Sequence, residues 1–423
     1  MLQLNFIREN KDTVLAGLGK RNVANAETVI DGVLTLDQKR RDTQRELDDV
    51  LAQSNAKASQ IGALMKVGDK AAAEAAKAET AELKARSKDL ADALRQVEAD
   101  LQAVLVTIPN IPHSSVPAGR SADDNEVVLE NGEKPTLHDA AQPHWELIKK
   151  YDIIDFELGV KIAGAGFPVY RGKGARIQRA LINLFLDEAL NAGYVEIQPP
   201  ILVNEDSGFG TGQLPDKEGQ MYFATEDKLY LIPTAEVPIT NIYRDVILPE
   251  NQLPVKNVGY TPCFRREAGS WGAHVRGLNR LHQFDKVEIV RIEKPENSYA
   301  ALEEMSLHVQ SLLQKLELPY RVLRLCGGDM GFTSALTYDM EVWSAAQERW
   351  LEVSSVSNFE TYQANRLKLR SKLEGKMQLM HTLNGSALAL PRILASILEN
   401  NQTPEGIRIP KVLVPYCGFD VID

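Results

Sequence analysis

A heptad pattern of apolar residues in the first quarter of the chain constrains its fold more than any other feature. In the second half of this stretch, positions spaced alternately by four and three residues are Leu83, Ser87, Leu90, Leu94, Val97, Leu101 and Val104. In the first half, the apolar positions of the same register are Val29, Val33, Leu36, Leu47, Val50, Ile61 and Leu64. The residues Val67-Gly-Asp-Lys70 supply a turn between two stretches of similar length. We therefore predict an antiparallel two-helix coiled-coil arm between about Ala26 and Leu105.

Two helices of this length leave nearly all of their outer surface in water and bury no sizeable core, so the arm is expected to contact something else. A limb that binds a partner and a strut for oligomerisation agree equally well with the pattern. Residues 1–110 contain 16 Lys and Arg against 17 Asp and Glu, whereas the whole chain has a formal net charge of −10. The charge argues against a protein held on nucleic acid by bulk attraction alone, but it permits a polyanion to bind the nearly neutral arm.

The remaining composition indicates an ordinary globular protein. A chain of 423 residues is long enough for two or three domains with ample core. Cys263, Cys326 and Cys417 are widely spaced and form no Cys-x-x-Cys pair, which is typical of a reducing compartment. The first ten residues contain no apolar signal core, and no apolar run approaches the length of a membrane span. We therefore expect a soluble cytoplasmic protein with no membrane association.

A change of pattern after the arm indicates further domains. A Pro-rich exit at 108–120 and acidic, turn-rich sequence to Pro143 predict a linker over 111–143, between the arm at 1–110 and a second domain at 144–423. Predicted elements of that domain are a helix at 172–192, strands at 194–198, through 229–292 and at 352–356, and helices at 298–316 and 387–399. Strands in sequence with few long helices predict an α+β fold with a largely antiparallel sheet flanked by helices.

One predicted hairpin combines residues that suit a nucleotide. Arg265 and Glu267 are two apart on a predicted strand and so share a face, and a second strand over 280–292 brings Phe284 near them. An arginine suits a phosphate, a carboxylate suits an exocyclic amine, and a ring stacks on a base. An Arg-x-Glu pair alone is far more often a surface salt bridge. Because the sequence has no P-loop and no Gly-x-Gly-x-x-Gly after a strand, a nucleotide would have to bind on the sheet.

Three other segments contain candidate site residues. Thr234-Ala-Glu236 and Glu352-Val-Ser-Ser355 each place a hydroxyl near a carboxylate at a predicted strand end, where either group could simply form a local hydrogen bond. Arg392 directly follows Pro391 at a predicted helix start. A cation at a helix N-terminus opposes the helix dipole. Its placement therefore indicates that an anion meets it there.

Taken together, these segments resemble the class II aminoacyl-tRNA synthetases. Residues 264–267 with 282–288 resemble motif 2, 384–392 resemble motif 3, and 193–200 resemble motif 1. Within class II, Thr234-Ala-Glu236, the run 352–363 and the N-terminal helical hairpin are similar to the seryl-tRNA synthetase family. The resemblance covers essentially the whole chain in order. It departs from the commonest motif 3 at Ala387 and Pro391, where many relatives have glycine, but both residues are small or compatible with a turn and Arg392 is kept.

The resemblance implies a ligase that activates L-serine with ATP to seryl-adenylate and transfers serine to tRNA(Ser), and also to tRNA(Sec) where that tRNA is present. Arg265 and Arg392 would be catalytic, Glu267 would meet the adenine amine, and Phe284 and Arg392 would sandwich the base. The implied ATP site is Arg265, Arg266, Glu267, Leu281, Phe284, Glu352, Val353, Ser354, Ser355 and Arg392. The implied serine site is Thr234, Ala235, Glu236, Arg265, Glu288 and Ser386, and Glu352 with Ser355 would hold Mg²⁺.

By the same resemblance, the arm would reach across a homodimer to grip the tRNA. Candidate phosphate contacts on the arm are Arg40, Arg41, Arg45, Lys84, Arg86, Lys88 and Arg95. Two alternatives are a prolyl or threonyl relative and a catalytically silent paralogue that acts as an RNA-binding or scaffold protein. The Thr-Ala-Glu segment and the helical hairpin weigh against the first. Retention of the motif arginines and carboxylates weighs against the second.

Overall fold

The computed structural model describes residues 1–216, 218–268 and 275–423, which form two compact units. The first unit comprises Leu2–Gly19 and Val23–Pro109, and the second comprises Met1, Lys20–Asn22 and Asn110–Asp423. Gly269, the predicted end of the Arg265 strand segment, and residues 270–274 of the loop that follows lie outside the described residues. Over the part of the chain that the structure describes, no helix is both long and apolar enough to cross a membrane.

The first unit consists of helices and confirms the predicted arm. Its helices are α1 Leu4–Glu9, α2 Lys11–Lys20, α3 Ala26–Lys66 and α4 Lys70–Leu105. The two long helices α3 and α4 pack along each other. Between them, Gly68 adopts a positive φ of 79°, and the Asp69 carboxylate caps α4 by accepting a hydrogen bond from the Ala72 amide at 3.0 Å. The turn therefore lies where the sequence predicted it.

At the end of the arm that contains Ile30 and Leu105, which we call its base, the buried residues are shifted by one position from the predicted heptad. Leu94, Val97 and Leu101 are buried as predicted, but Leu105 rather than Val104 takes the next buried position. In α3 the buried positions are Ile30, Val33, Asp37, Leu47, Val50 and Ser54. At this end α3 also packs against α1. The apolar stripe of a straight α-helix drifts around the helix relative to an exact seven-residue repeat. Contact with a second helix can therefore shift the buried position by one residue.

The seam at the base contains a buried carboxylate with three arginines around it. Asp37 is 1% exposed and forms ion pairs with Arg8 at 3.0 Å, Arg40 at 3.0 Å and Arg41 at 3.2 Å. Burial by itself raises the pKa of Asp37, but hydrogen bonds from Arg40 and Arg8 outweigh that effect and hold the pKa below its usual value. The cluster joins α1 to α3 by charge as well as by apolar contact.

The second unit contains the remaining helices and the strands. Its helices are α5 His144–Lys150, α6 Phe156–Ile162, α7 Gly172–Asn191, α8 Glu205–Thr211, α9 Glu236–Asn241, α10 Ser298–Lys315, α11 Thr361–Leu367, α12 Leu390–Asn400 and α13 Val414–Cys417. Short 3-10 helices lie at Ala122–Asp124, Glu250–Gln252, Gly277–Asn279, Pro295–Asn297 and Lys411–Leu413. Its strands are β1 Glu126–Asn131, β2 Ile154–Asp155, β3 Val169–Tyr170, β4 Val195–Glu196, β5 Leu202–Val203, β6 Phe223–Ala224, β7 Leu229–Leu231, β8 Ile247–Leu248, β9 Val255–Phe264, β10 Gln283–Glu293, β11 Tyr320–Arg324, β12 Leu336–Ser344, β13 Arg349–Asn358, β14 Arg370–Leu373, β15 Lys376–Leu379, β16 His381–Ala389, β17 Gln402–Thr403, β18 Gly406–Arg408 and β19 Val421–Ile422.

An eight-stranded sheet organises this unit. Its strand order is β1-β11-β12-β13-β16-β10-β9-β4, and neighbours run antiparallel except β4 and β9, which are parallel. The predicted α+β fold with a largely antiparallel sheet is confirmed. Smaller sheets have the orders β15-β14-β8, β17-β18-β19, β2-β3 and β5-β7-β6.

Helices cover one face of the large sheet and form the main core with it. On α7, the spacing of Ile177, Leu181, Leu184 and Phe185 makes one apolar stripe, and each of these side chains is at most 1% exposed. The core also contains apolar residues of α10 and α12 together with Val287 and Ile289 of the central strand β10. Because side chains alternate along a strand, the residues between these two point to the opposite face.

Two segments form elements that the sequence did not predict. The predicted linker over 111–143 contains strand β1, which pairs with β11 at the edge of the large sheet; every residue of β1 is exposed, so its sequence lacks the alternation that marks a half-buried strand. The segment starting at Thr234 does not remain at a strand end, because helix α9 begins at Glu236. Both elements depend on contacts with distant parts of the chain, which local patterns do not encode.

We predict that Asp37→Asn loosens the base of the arm, because it leaves three arginines around a buried site with no carboxylate. The expected loss is about 1–3 kcal/mol in the local opening free energy of the first turns of α3. Hydrogen exchange of the full-length protein, read by mass spectrometry, measures it. Asp92→Asn is the matched control, since Asp92 is 50% exposed and pairs only with Arg95 among the described residues. Equal exchange in the two variants would contradict a special role for Asp37.

Candidate active site

The face of the large sheet that lies opposite the main core contains the candidate site. On β10, Val287 and Ile289 point into the core, so Phe284, Lys286 and Glu288 project from the other face. Glu288 is paired with Ser386 on β16 and with Gly259 on β9. The site therefore lies at the centre of the sheet, where neighbouring strands hold each backbone on both sides.

A buried cluster of polar side chains forms the floor of this site. Thr234 donates its hydroxyl to Glu288 Oε2 at 3.1 Å, and Lys286 Nζ donates to Thr234 Oγ1 at 2.9 Å. Lys286 and Glu288 also form an ion pair. The three residues are 5%, 5% and 1% exposed for Thr234, Lys286 and Glu288. Buried charged groups are stable only when they are paired, as Lys286 and Glu288 are.

Sequence reasoning missed Lys286, although a signal for it was present. Phe284, Lys286 and Glu288 are spaced two apart on a predicted strand, so the prediction of a site at Phe284 and Glu288 already implied that Lys286 shares their face. The structure places its ammonium between Thr234 and Glu288, two of the predicted serine-site residues.

Glu236 lies beside this cluster, in surroundings that favour the protonated form of its carboxyl group. Its Oε1 accepts a hydrogen bond from Gln363 Nε2 at 2.6 Å, and Gln363 in turn accepts from Thr382 Oγ1 at 2.7 Å. Burial, and then the charge of Glu288, raises the pKa of Glu236 to about 7. The Glu236 carboxyl group therefore keeps its proton to a higher pH than an ordinary glutamate does.

Two other predicted serine-site residues take part differently. Ala235 is fully buried in a separate small core with Ile239 and Val290, so only its backbone could meet a ligand. Ser386 is 8% exposed on β16, and its carbonyl accepts the Ser354 hydroxyl at 2.6 Å. This hydrogen bond joins β13 to β16 beside the site.

The predicted placement of Arg265 and Glu267 on one strand face is wrong. Strand β9 ends at Phe264, and Glu267 has a positive φ of 51°, which few residues other than glycine adopt. The Arg265 guanidinium nevertheless lies over the Phe284 ring, with its central carbon 5.2 Å from the ring centroid, and its Nε donates to the Pro233 carbonyl at 3.4 Å. Tertiary contacts thus bring Arg265 to the site even though the strand has ended.

Compared with Arg265, three other predicted ATP-site residues, Glu267, Arg266 and Leu281, make fewer contacts with the site. Glu267 forms an ion pair with Arg280, and its side chain is 11% exposed. The side chain of Arg266 is exposed, while its amide donates to the Gln220 carbonyl at 2.8 Å. Leu281 is 3% exposed and belongs to the main core, so any contact it makes with a ligand would be through its backbone.

Arg392 connects the start of α12 to β13. Its Nη1 donates to the Glu352 carbonyl at 2.7 Å and lies 3.9 Å from Glu352 Oε2, and its Nε donates to the Asn279 carbonyl at 3.0 Å. A cation in the first turn of a helix is disfavoured by the dipole. Two backbone carbonyls and a carboxylate compensate for that placement.

A bulge in β13 decides which of its residues can face the site. Met340 is opposite Ser354 and Glu341 is opposite Glu352, so Val353 is the extra residue. Val353 is 1% exposed and packs in the main core, and Ser354 is 2% exposed. Because of the extra residue, Glu352 and Ser355 project from the same face although they are an odd number of residues apart. The side chains of Val353 and Ser354 are therefore turned away from any nucleotide on this face.

Asp339, on β12, completes this part of the site and was missed by sequence reasoning. It is opposite Ser355, whose hydroxyl donates to its carboxylate. Burial, and then the charge of Glu352, raises the pKa of Asp339 well above its usual value. A neighbouring divalent cation would relieve that repulsion. The oxygen donors of Glu352 and Ser355 fit Mg²⁺, which is usually held by one or two carboxylates together with substrate phosphates and water.

The chain is similar to known proteins over both of its units. The family described as "Seryl-tRNA synthetase N-terminal domain" matches residues 1–112, and the family described as "tRNA synthetase class II core domain (G, H, P, S and T)" matches residues 222–401. The serine–tRNA ligase of Salinibacter ruber is 51% identical over 422 residues, which cover 99% of this chain and 98% of that protein.

Solved structures give the same result over the full length. The seryl-tRNA synthetase of Pyrococcus horikoshii, solved with ATP, superposes with a TM-score of 0.93 at 32% identity and covers 100% of this chain and 99% of its own. The cytoplasmic serine–tRNA ligase of Naegleria fowleri, solved with AMP, has a TM-score of 0.88 at 28% identity with the same coverage. The predicted family and class II fold are therefore confirmed, and the chain belongs to the seryl-tRNA synthetase family of class II aminoacyl-tRNA synthetases.

Proposed function

We propose that this protein is a serine–tRNA ligase, which activates L-serine with ATP and transfers the serine to the 3′-terminal adenosine of tRNA(Ser). The observation that carries the proposal is that one face of the central sheet contains a buried Thr234–Lys286–Glu288 cluster beside Arg265 and Phe284. The cluster supplies acceptors for an amine and a hydroxyl. The arginine and the ring supply a phosphate contact and a stacking surface. An amino acid and a nucleotide can therefore meet on this face.

Serine would be recognised by its hydroxyl and amine. Thr234, Glu288 and Glu236 are almost fully buried, and their oxygens accept hydrogen bonds. Alanine would leave such acceptors unpaired, at a cost of roughly 1–3 kcal/mol in binding. Lys286 holds the negative charge of Glu288 in a desolvated site until the substrate amine arrives. We assign Lys286 to the serine site together with the predicted residues.

Activation requires no dedicated base, since the serine carboxylate is already ionised. One of its oxygens attacks the α-phosphorus of ATP, the bond from that phosphorus to the bridging oxygen breaks, and pyrophosphate leaves with the electron pair. Arg265 would neutralise charge on the α-phosphate and orient the carboxylate, Phe284 would stack on adenine, and Glu267 would accept from its amine. Arg392 would sandwich the base with Phe284 and would also neutralise charge on the triphosphate. Catalysis would thus depend on positioning and on charge neutralisation.

Glu352 and Ser355 would hold Mg²⁺, and Asp339 would orient the Ser355 hydroxyl. When bound, the ion would supply charge neutralisation on the phosphates. Arg392 Nη1, which lies 3.9 Å from Glu352 Oε2, would also attract that carboxylate and limit how far it can move.

Transfer to tRNA would use the arm. A hydroxyl of the terminal adenosine attacks the seryl carbonyl carbon, and AMP leaves. The helices α3 and α4 would hold the tRNA by its shape and backbone, across a homodimer, and tRNA(Sec) would be a further substrate where it occurs. Ion pairs already engage five of the candidate phosphate contacts, namely Arg40, Arg41, Arg45, Arg86 and Arg95. Lys84 and Lys88 form no such pair within the described residues, and we rank them first.

Serine-dependent ATP–pyrophosphate exchange tests the proposal. We expect exchange with serine and none above background with threonine or proline. Arg265→Ala should lower the exchange rate by about 100-fold or more, because it removes the cation beside the reacting phosphate. Arg408→Ala, an exposed arginine on β18, is the control and should leave the rate unchanged. Exchange with threonine alone, or an unchanged rate in Arg265→Ala, would rule out the proposed function or that residue's role.

The raised pKa of Glu236 predicts a pH-dependent stability. Its folded-state pKa of about 7 exceeds the ordinary value of 4.5, so the folded protein retains a proton between these pH values that the unfolded chain has released. This carboxyl group therefore destabilises the fold increasingly as the pH rises through that window. Glutamine resembles the protonated form. Glu236→Gln should consequently lose less stability than the unaltered protein between about pH 5 and about pH 8, by about 1–3 kcal/mol.

Urea unfolding followed by tryptophan fluorescence at both pH values measures the Glu236 effect. The exposed Glu296→Gln is the matched control, since it removes one carboxylate outside the site. The prediction fails when the two variants show the same change of stability with pH.

The ranking of arm cations predicts a separation of the two half-reactions. Lys84→Glu combined with Lys88→Glu should lower kcat/KM for tRNA serylation about 10-fold, because these adjacent charges on α4 would then repel phosphate. Serine-dependent exchange should stay unchanged. The control Lys372→Glu with Lys376→Glu makes the same charge change on the exposed hairpin β14–β15. Serylation that is equally affected by both double variants would point to net charge rather than to a contact on the arm.

A further inference from the structure

A buried histidine outside the predicted site holds the turn that contacts Arg392. His144, the first residue of α5, is fully buried with Glu399, a residue of α12. Its Nδ1 lies 2.6 Å from Glu399 Oε1, and its Nε2 accepts a hydrogen bond from the Leu278 amide at 2.9 Å. None of the motifs identified in the sequence includes His144.

The hydrogen bonds identify the protonation state of this imidazole. A backbone amide can only donate, so His144 Nε2 has to be the acceptor and the ring proton must be on Nδ1. Nδ1 then donates to Glu399, which also accepts from the Ser344 hydroxyl and from Gln347 Nε2 at 3.0 Å. Burial tends to raise the pKa of Glu399, but the hydrogen bonds from His144 and Ser344 lower it below its usual value. A neutral histidine thus bridges an ionised carboxylate and a backbone amide.

The turn that His144 holds is the one that fixes Arg392. In the 3-10 helix Gly277–Asn279, the Leu278 amide faces His144. The carbonyl of the following residue, Asn279, accepts a hydrogen bond from Arg392 Nε at 3.0 Å. The Asn279 side chain donates to Gln347 Oε1 at 2.8 Å, so the same network anchors both sides of that residue. Arg392 and Glu399 are seven residues apart on α12, which places them two turns apart on one face. The contacts therefore form a closed ring from Arg392 through the turn to His144, Glu399 and back along α12.

The backbone of the turn is shaped to fit the imidazole. Gly277 has a positive φ of 67°, and a Cβ added there would lie 2.3 Å from His144 Nε2. Both its conformation and its closeness to the ring exclude a side chain. A second anchor is formed by Arg276, which donates to Glu146 at 3.0 Å and lies over the Trp145 ring, 4.9 Å from the centroid. Consecutive residues of α5 thus hold consecutive residues of the turn.

We propose that His144 is a positioning residue for the nucleotide site: its Nε2 fixes the Leu278 amide, so that the Asn279 carbonyl orients Arg392 toward ATP. The role rests on the proposed function, because it assumes that Arg392 meets ATP. His144 itself touches no substrate. An Arg392 that lost the Asn279 carbonyl as acceptor would keep only its contacts with Glu352, and its guanidinium would no longer be held in one orientation.

Two substitutions separate this role from simple packing. Asparagine places its amide near the former Nδ1, so His144→Asn can still donate to Glu399 but cannot reach the Leu278 amide. Glutamine places its amide oxygen near the former Nε2, so His144→Gln can still accept from Leu278 but leaves Glu399 short of a donor. We expect His144→Asn to raise the Kd for ATP about 10-fold, and His144→Gln to raise it by about 2-fold or less. The loss of thermal stability should follow the opposite order.

Calorimetric titration of the full-length protein with ATP and Mg²⁺, together with thermal unfolding, makes the measurement. His308→Asn, at a half-buried histidine on α10, is the control and should lower stability without changing the Kd for ATP. An ATP affinity that is unchanged in His144→Asn, or that follows thermal stability across the variants, would overturn the proposal.

Gly277→Ala tests the same link from the side of the turn, and it leaves His144 and Glu399 in place. It should raise the Kd for ATP by about 5-fold or more, because the added methyl group displaces the turn from the ring. An unchanged Kd would contradict the proposal even if the His144 variants failed to fold. An unaltered chain that binds ATP but supports no exchange with serine would contradict the proposed function alone, since the order of ATP affinities needs no serine.

Discussion

The structure of the second unit depends on a division of the large sheet into a face that packs in the main core and a face that contains the buried polar cluster. Strand β10 shows the division most clearly, because Val287 and Ile289 pack in the core while Phe284, Lys286 and Glu288 point the other way. The covered face contributes apolar burial, which stabilises the fold. That stability allows the other face to hold desolvated charges that contribute little to folding. On β10, neighbouring strands on both sides hold the backbone of Phe284, Lys286 and Glu288 in place.

At each of two places in the site, a carboxyl group with a raised pKa lies beside another carboxylate, an arrangement that suits the binding of a cation or an amine. Lys286 pairs with Glu288, while the pKa of Glu236 is raised to about 7 by burial and then by the charge of Glu288. At the other end of the site, the pKa of Asp339 is raised by burial and then by Glu352. Each end therefore has a carboxyl group that resists ionisation beside one that is charged. Such pairs are common at functional sites, where an incoming cation or amine relieves the repulsion.

Supporting contacts outside the motifs decide where the motif residues point. Arg392 would be poorly placed at a helix start without the carbonyls of Glu352 and Asn279. Ser355 is oriented by Asp339, and the turn at Gly277–Asn279 is held by α5. In the arm, Asp37 takes up the charge of Arg8, Arg40 and Arg41, so those arginines serve the base of the arm. Counting cations along a helix therefore overestimates how many are free for RNA.

Local sequence patterns were sufficient to predict the coiled-coil arm, the helix α7, the hairpin of β9 and β10 and the class of the sheet, because each has a strong local period or turn signal. The motif resemblance determined the family, and the comparisons confirmed it. The folded structure was needed to show where β9 ends, that β1 joins the sheet, and that Asp339 lies opposite Ser355. It also decided, through the bulge at Val353, which residues of β13 face the site. These features depend on contacts between residues that are far apart in the chain, and such contacts leave no periodic trace in the sequence around any one of them.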